Sequence, residues 1–374
     1  MSTETKPWSR PREPLGLEGW LESLRNLLVI PPELRDEWMD RAGALELLQC
    51  GPEILDELLR NGLPHGGEPG AERFDRFDLV NLALYSGSGT SVPEKTMRYA
   101  LRWMHADPRT LFRPQRWDYS VALSPPAADA EADPARMEWN LATPHPERHG
   151  GWTESLTVGP EGAVLGEKDI TARGTTGLTA SGVLVTSGEH REIRSRQLRD
   201  IVTSFGPDRF RWGRMPEELQ WRKDVVLSQG YAPCISVCLE LAERCRAAGF
   251  EARTRRGWIM GMLDLAHSWL EVVDEDGLIK TVDPAFVILA DHHAEAAHPK
   301  IADAFTGSLL NRLLPTEHHA DEPVNGYRRD GRFGHPRHQT DIQLSAEQPA
   351  PRETDGAGDG TDNEERNKHA RTAG

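Results

Sequence analysis

SQGYAPCISVCLELAERCRAAGF, residues 228–250, carries three of the four cysteines in a chain of 374 residues. Cys234, Cys238 and Cys245 follow one another at four and seven residues, spacings that place them on one stripe of an α-helix. Pro233 fixes where that helix starts, because proline lacks the N–H and clashes with a preceding helical turn. The helix begins near Pro233 or Cys234 and runs through Leu241 and Ala242 to Gly249, a residue suited to a helix stop. Cys234 thus stands in the first turn, where unpaired N–H groups and the positive dipole end favour a thiolate. Cys238 and Cys245 fall deeper, among Leu241, Ala242 and Ala248, and read as small buried apolar residues.

A zinc site is the competing reading of three cysteines. Structural zinc needs a second pair of ligands at a matching spacing. His292-His293 and His318-His319 are adjacent doublets whose side chains diverge. The expectation is therefore no metal and no cofactor, with Cys234 as a nucleophile. A nucleophilic thiol needs a base, and the base needs an orienting group. LAHSWLEVVDEDGLIKTVDPAF (residues 265–286) supplies both. His267 opens an amphipathic strand, Asp283 closes the next strand-like run, and Asp276-Gly277 between them is a hairpin signal. An antiparallel hairpin brings the start of one strand beside the end of the next, so His267 meets Asp283. Alone, His267 reads as a strand-end histidine and Asp283-Pro284 as a turn; the hairpin makes them a pair.

In this order the residues resemble the transglutaminase-like cysteine superfamily: a helix-start Cys234, then GFEAR (249–253) and RGW (256–258), then HSWLEV (267–272) and DPAF (283–286). DVVLSQGY (224–231) is similar to the helix that leads into the family's cysteine. The resemblance covers about residues 190–315. Ala232 stands where the family often has glycine, and Pro233 directly before the cysteine is unusual. Ser268 and Ala285 are milder departures. The resemblance implies an α+β fold with a papain-like core, the helix-start Cys packed on antiparallel strands, and a Cys234–His267–Asp283 triad. Cys234 would attack an amide or thioester carbonyl, His267 would move the proton, and Asp283 would hold the imidazole. The oxyanion would meet the Cys234 backbone N–H and one side chain, for which Gln229, Tyr231 and Trp212 are the candidates.

An acyl-enzyme attacked by an amine gives an amide; attacked by water it gives hydrolysis. The expected function is cysteine-dependent acyl transfer to a small amine, of the kind recruited to natural-product biosynthesis, with an acyl or peptidyl carrier protein as a partner. An intracellular cysteine peptidase or amidase is the alternative. A catalytically inactive binding module, with Cys234 structural, is another. Arg253, Arg255 and Arg256 offer a docking surface for an acidic carrier, against the plainer reading of arginines on solvated faces or stacked on tryptophan.

Working outward, GLEGWLESLRNLLVI (16–30), PPELRDEWMDRAGALELLQC (31–50), GPEILDELLRNGL (51–63) and PEKTMRYALRWMHAD (93–107) show helical periodicity. They set residues 1–115 apart as a helical module. Residues 116–189 alternate as strands do, around a flexible insertion at SPPAADAEADPA (124–135). Residues 190–315 form the core, and 316–374 read as a polar, disordered tail with little to bury. A formal charge of −15 argues against nucleic acid as a partner. No apolar run approaches the length of a membrane helix, and nothing at the N-terminus reads as a signal peptide. With few cysteines, these features lead to an expected cytoplasmic location with free thiols. Basic charge carried mostly by arginine, with abundant Ala, Gly and Pro, fits a GC-rich bacterial source.

Overall fold

The computed structural model describes residues 14–35, 38–261, 266–294 and 297–347. The N-terminal stretch read above for a signal peptide lies mostly outside these, as does the tail beyond residue 347. The helical region contains α1 (Leu17–Arg25), α2 (Arg41–Leu48), α3 (Pro52–Arg60), α4 (Arg76–Leu84) and α5 (Val92–Ala100). Two short strands, β1 (Met39–Asp40) and β2 (Arg73–Phe74), pair between them. Their starts follow local chemistry. Asp75 caps α4 by accepting from the N–H groups of Phe77 and Asp78, and Ser91 and Glu94 form a reciprocal capping box on α5, each satisfying donors that no helical carbonyl can reach.

Six strands follow: β3 (Gln115–Ser124), β4 (Met137–Ala142), β5 (Trp152–Gly159), β6 (Val164–Leu165), β7 (Asp169–Arg173) and β8 (Leu178–Thr186). They divide between two antiparallel sheets. The 124–135 segment, expected to be a flexible insertion, is instead two short 3-10 turns, and its Asp129 accepts from the Tyr327 hydroxyl and the Arg329 guanidinium.

The next region opens with α6 (Arg196–Thr203) and two short helices, α7 (Glu217–Gln220) and α8 (Lys223–Ser228). Then come α9 (Cys234–Ala247), β9 (Ala252–Ile259), β10 (Ala266–Val273), β11 (Ile279–Val282), α10 (Pro284–His293), α11 (Ile301–Ala304), β12 (Thr306–Gly307) and β13 (Leu313–Pro315). The strands form one antiparallel sheet in the order β12-β11-β10-β9-β13. One face takes α9: Leu270, Val272 and Val282 share a core with Ile235, Cys238, Leu241 and Cys245. The other face packs on helices, where Trp269, Phe286 and Leu289 meet Val80, Met97, Trp103 and Phe305. Helices stacked on antiparallel sheets make this an α+β fold.

The last strands are β14 (Asn325–Arg329), β15 (Arg332–Gly334) and β16 (Arg337–Leu344). They correct the expectation of disorder from residue 316. β14 pairs with β4 in the sheet β15-β14-β4-β7-β6, and β16 lies along β3 from Trp117 to Ser124 in the sheet β16-β3-β8-β5. Each strand needs only a little apolar burial to be held: Tyr327 stacks on Trp139 at 5.3 Å, and Ile342 enters the core of Trp117, Tyr119 and Leu184. The backbone ladder supplies the rest.

Arg255 and Arg256 are each only 1% exposed, so of the three arginines expected to form a docking surface only Arg253 reaches solvent. Arg255 pairs with Glu271 and Arg256 with Glu217. Among the described residues no helix is long and apolar enough to cross a membrane.

Candidate active site

Cys234 is the first residue of α9, with Pro233 as its N-cap. Gly249, at a φ of +89°, ends that helix, and Phe250 N–H returns to Cys245 O at 2.9 Å, a left-handed closure that glycine accepts without strain. At the helix start the Cys234 N–H has no helical carbonyl to meet. The loop before it is fixed by a two-way backbone exchange: Arg211 N–H donates to Gly230 O at 2.9 Å, and Ala232 N–H to Arg211 O at 2.8 Å.

The hairpin forms as the sequence requires, with Leu270 opposite Val282 in the β10–β11 register. It brings His267 to Asp283, and Nε2 of the imidazole bonds Oδ2 of the carboxylate. Asp283 N–H donates to Phe305 O at 2.9 Å, which ties its backbone while the carboxylate reaches the ring. His267 and Cys234 line the same cleft and lie near enough for the thiol to bear on the imidazole's ionisation, and with Nε2 engaged, Nδ1 is the ring nitrogen left free to take a proton. Phe286 and Trp269 flank the ring at 5.0 Å and 6.2 Å and limit its rotation. Across β9, Gly257 lies opposite His267. A Cβ there would come within 2.0 Å of Leu314 O and 3.0 Å of the Trp269 ring.

Burial alone would push the His267 imidazole down. The charges of Asp283 and Cys234, with their hydrogen bonds, outweigh burial and push it up to about 10. The protonated ring is therefore the form that the site favours at neutral pH. Burial raises Cys238 far above its ordinary value, and Cys50 and Cys245 to about 11 each. Cys238 donates to Trp269 O at 2.9 Å, so it is a buried spacer between helix and strand.

The cleft at Cys234 and His267 has a volume of about 130 Å3. Trp212, Ile259 and Leu289 line one part of it, and Val80, Leu84, Pro93 and Met97 of the helical region line the rest. The N-terminal helices are thus a wall of the site.

The candidates for the oxyanion side chain separate. Gln229 caps the far end of α8 and is exposed. The Tyr231 hydroxyl is committed elsewhere: it donates to Asn26 O at 3.1 Å and accepts from Leu28 N–H at 3.2 Å. Trp212 does line the cleft. The structure adds Gln220, whose Oε1 lies 3.9 Å from Cys234 Sγ. Gln220 is the last residue of α7, and its carbonyl accepts from Ser236 Oγ at 2.6 Å, which anchors it to the first turn of α9. The sequence reads PEELQWRKDVVLSQGY as one helix; the break at Trp221-Arg222 turns Gln220 inward, and no local pattern signals that break.

No family model matches the chain, and no curated protein matches its sequence. In shape it is similar to a solved structure from Cytophaga hutchinsonii described as a "Putative Cysteine Protease", with a TM-score of 0.39 and 10% identity, over 64% of this chain and 92% of that one. The site's chemistry rests on its own residues. Among the described residues, no group of three or more His, Cys, Asp or Glu is placed to hold a metal ion.

Proposed function

We propose that this chain is a cysteine-dependent acyl-transfer enzyme with a transglutaminase-like, papain-like core, working through a thioester on Cys234. One observation carries the reading: an imidazole bonded to a buried carboxylate lines one cleft with a helix-start thiol. In the first half-reaction Cys234 Sγ bonds the acyl carbon while its proton resides on His267. The tetrahedral oxyanion is met by the Cys234 N–H and by Gln220, once its Nε2 leaves Met215 O, to which it donates at 3.2 Å, and turns toward the sulfur. Collapse breaks the bond to the leaving group, which takes the proton from His267. In the second half an amine attacks the thioester, passes a proton to His267, and leaves as the amide with the thiol restored. Asp283 holds the ring in place through its bond to Nε2.

The shape of the cleft favours transfer over proteolysis. A narrow, mostly apolar space between α4, α5 and the core suits a small acyl group and excludes bulk water from the thioester. An extended polypeptide needs an open groove. The test is intact-protein mass spectrometry after brief iodoacetamide treatment at about pH 6, on wild type, Cys234→Ala and His267→Ala. The expected result is one fast adduct, absent in Cys234→Ala and slowed in His267→Ala. Slow labelling indifferent to both changes would sink the proposal and leave a non-catalytic binding module as the better reading. Once a fast thiol is established, small thioesters offered with and without an amine separate amide formation from hydrolysis.

A further inference from the structure

Two arginines, Arg76 and Arg214, stand in the wall of the same cleft as Cys234 and His267. Among the described residues neither has a carboxylate within ion-pair distance. Arg255 and Arg256, by contrast, each have an acid. The two guanidinium groups feel one another: burial, and then the charge of Arg76, push Arg214 below its ordinary value. Arg76 is exposed and Arg214 half-buried; like charges lining one cleft repel each other, and an anion between them relieves the repulsion.

Their placement is built into the fold. Asn81 grips the Arg214 backbone as another strand would, donating from Nδ2 to Arg214 O at 2.7 Å and accepting the Arg214 N–H at 2.8 Å. Beside it, a Cβ on Gly213 would come within 2.7 Å of the Tyr231 ring, so only glycine lets this segment lie so close. Arg76 begins α4, and Arg76, Val80 and Leu84 recur at four-residue intervals along the helix face that lines the cleft. That face is charged at its start and apolar beyond. Guanidinium groups suit carboxylate and phosphate oxygens in particular, because their planar forks match those anions.

We propose that the cleft selects an acyl donor with an anionic end: an apolar chain whose carbonyl reaches Cys234 and whose carboxylate or phosphate is held by Arg76 and Arg214. The inference rests on the acyl-transfer reading of Cys234. Its anion has two sources, a carboxylate on the acyl chain or the phosphate of a carrier's prosthetic arm.

The experiment uses the full chain as Cys234→Ala, so that no chemistry intervenes. Hexanoate, hexyl phosphate and neutral hexanamide are titrated by calorimetry. The expected result is that at least one anion binds about tenfold or more tightly than the amide, the scale of a lost charge-assisted hydrogen bond. That preference should disappear when Arg76→Gln or Arg214→Gln is added. Tighter hexanoate points to an acyl chain ending in carboxylate; tighter hexyl phosphate points to a carrier arm. Equal affinities, no binding of either anion, or a preference that survives both arginine changes would overturn the proposal. The iodoacetamide experiment on the intact thiol judges the acyl-transfer reading separately. A fast thiol without anion preference ends only this inference, and an anion preference beside a slow thiol ends that reading and leaves an anion site with no acyl transfer to serve.

Discussion

β10 carries two buried clusters of histidine and carboxylate, separated by one tryptophan, and they have opposite characters. At one end His267 meets Asp283 and Cys234. Four residues on, Glu271 accepts from Arg255 Nη2 at 3.0 Å, Arg253 Nε at 2.9 Å and His149 Nε2 at 3.2 Å. The Trp269 ring lies between, 6.2 Å from His267 and 6.0 Å from His149. Both clusters are buried and charged. The Glu271 cluster surrounds its acid with three donor residues and continues through Arg255 only to another carboxylate, Glu317. The His267 cluster leads through a sulfur atom into a narrow cleft. Perturbed ionisation marks both; a reactive atom beside empty space marks only one.

Four measurements would break or sharpen that contrast. The largest effect is expected at the reactive cluster. Cys234→Ala or His267→Ala should lower acyl-transfer rate by about a thousandfold or more, and the double variant should lose little beyond either single one, because the residues act as a unit. Additive losses in steady-state kinetics would deny that they do. Next comes Glu271→Gln, which leaves buried Arg255 only its longer pairing with Glu317 at 3.6 Å and should cost up to about 3–5 kcal/mol of stability in denaturant unfolding. Its folded fraction should still alkylate at Cys234 as fast as wild type. If labelling falls with stability, the two clusters are one system and the contrast fails. A smaller loss, about a hundredfold in kcat, is expected for Gln220→Ala, with KM nearly unchanged, as for a donor used only by the oxyanion. A loss confined to KM would reassign Gln220 to substrate binding.

The subtlest prediction concerns pH, where the clusters should fail in opposite directions. His267 is raised, to about 10. Its contribution to stability is complete below the unfolded value of about 6.5 and is lost as pH rises through about 10. Burial would raise Glu271, but the hydrogen bonds from His149 and Arg255 and their charges hold it well below the usual carboxylate range. Its contribution is complete above about 4.3 and is lost as pH falls below that. Thermal melts across pH should therefore show the gap between wild type and His267→Gln closing on the alkaline side. The gap for Glu271→Gln should close on the acid side. Gaps that close on the same side would mean that the two histidine–carboxylate pairs are not electrostatically distinct.

The hairpin was legible because local rules determine it: a turn at Asp276-Gly277, alternation along β10 and a proline after Asp283 leave little freedom in where His267 lands. The start of α9 was legible for the same reason, since Pro233 and Gly249 bound it. What escaped depends on partners distant in sequence. The charged run at 253–256 reads as solvated because Glu271 and Glu217, which make burial tolerable, lie on another strand and another helix. β14 and β16 read as disordered because their polar pattern is that of strands held chiefly by a neighbour's backbone. Gln220 escaped because its position depends on a break between two short helices and a bond to Ser236. Arg76 and Arg214 meet in one cleft only once the helical region is folded onto the core.

That meeting depends on one seam. The Arg211 guanidinium and the Tyr231 hydroxyl both donate to Asn26 O, Tyr85 donates to Trp212 O at 2.6 Å, and Asn81 grips Arg214. Residues 211–231 also hold the loop that presents Cys234. The contacts that fasten the wall are thus the contacts that aim the nucleophile. The chain cannot change its taste for substrate by borrowing a new helical segment through recombination unless that segment brings counterparts of Asn26, Asn81 and Tyr85. Selectivity and reactivity are heritable here as one trait, and drift in either should surface first as compensating changes along this seam.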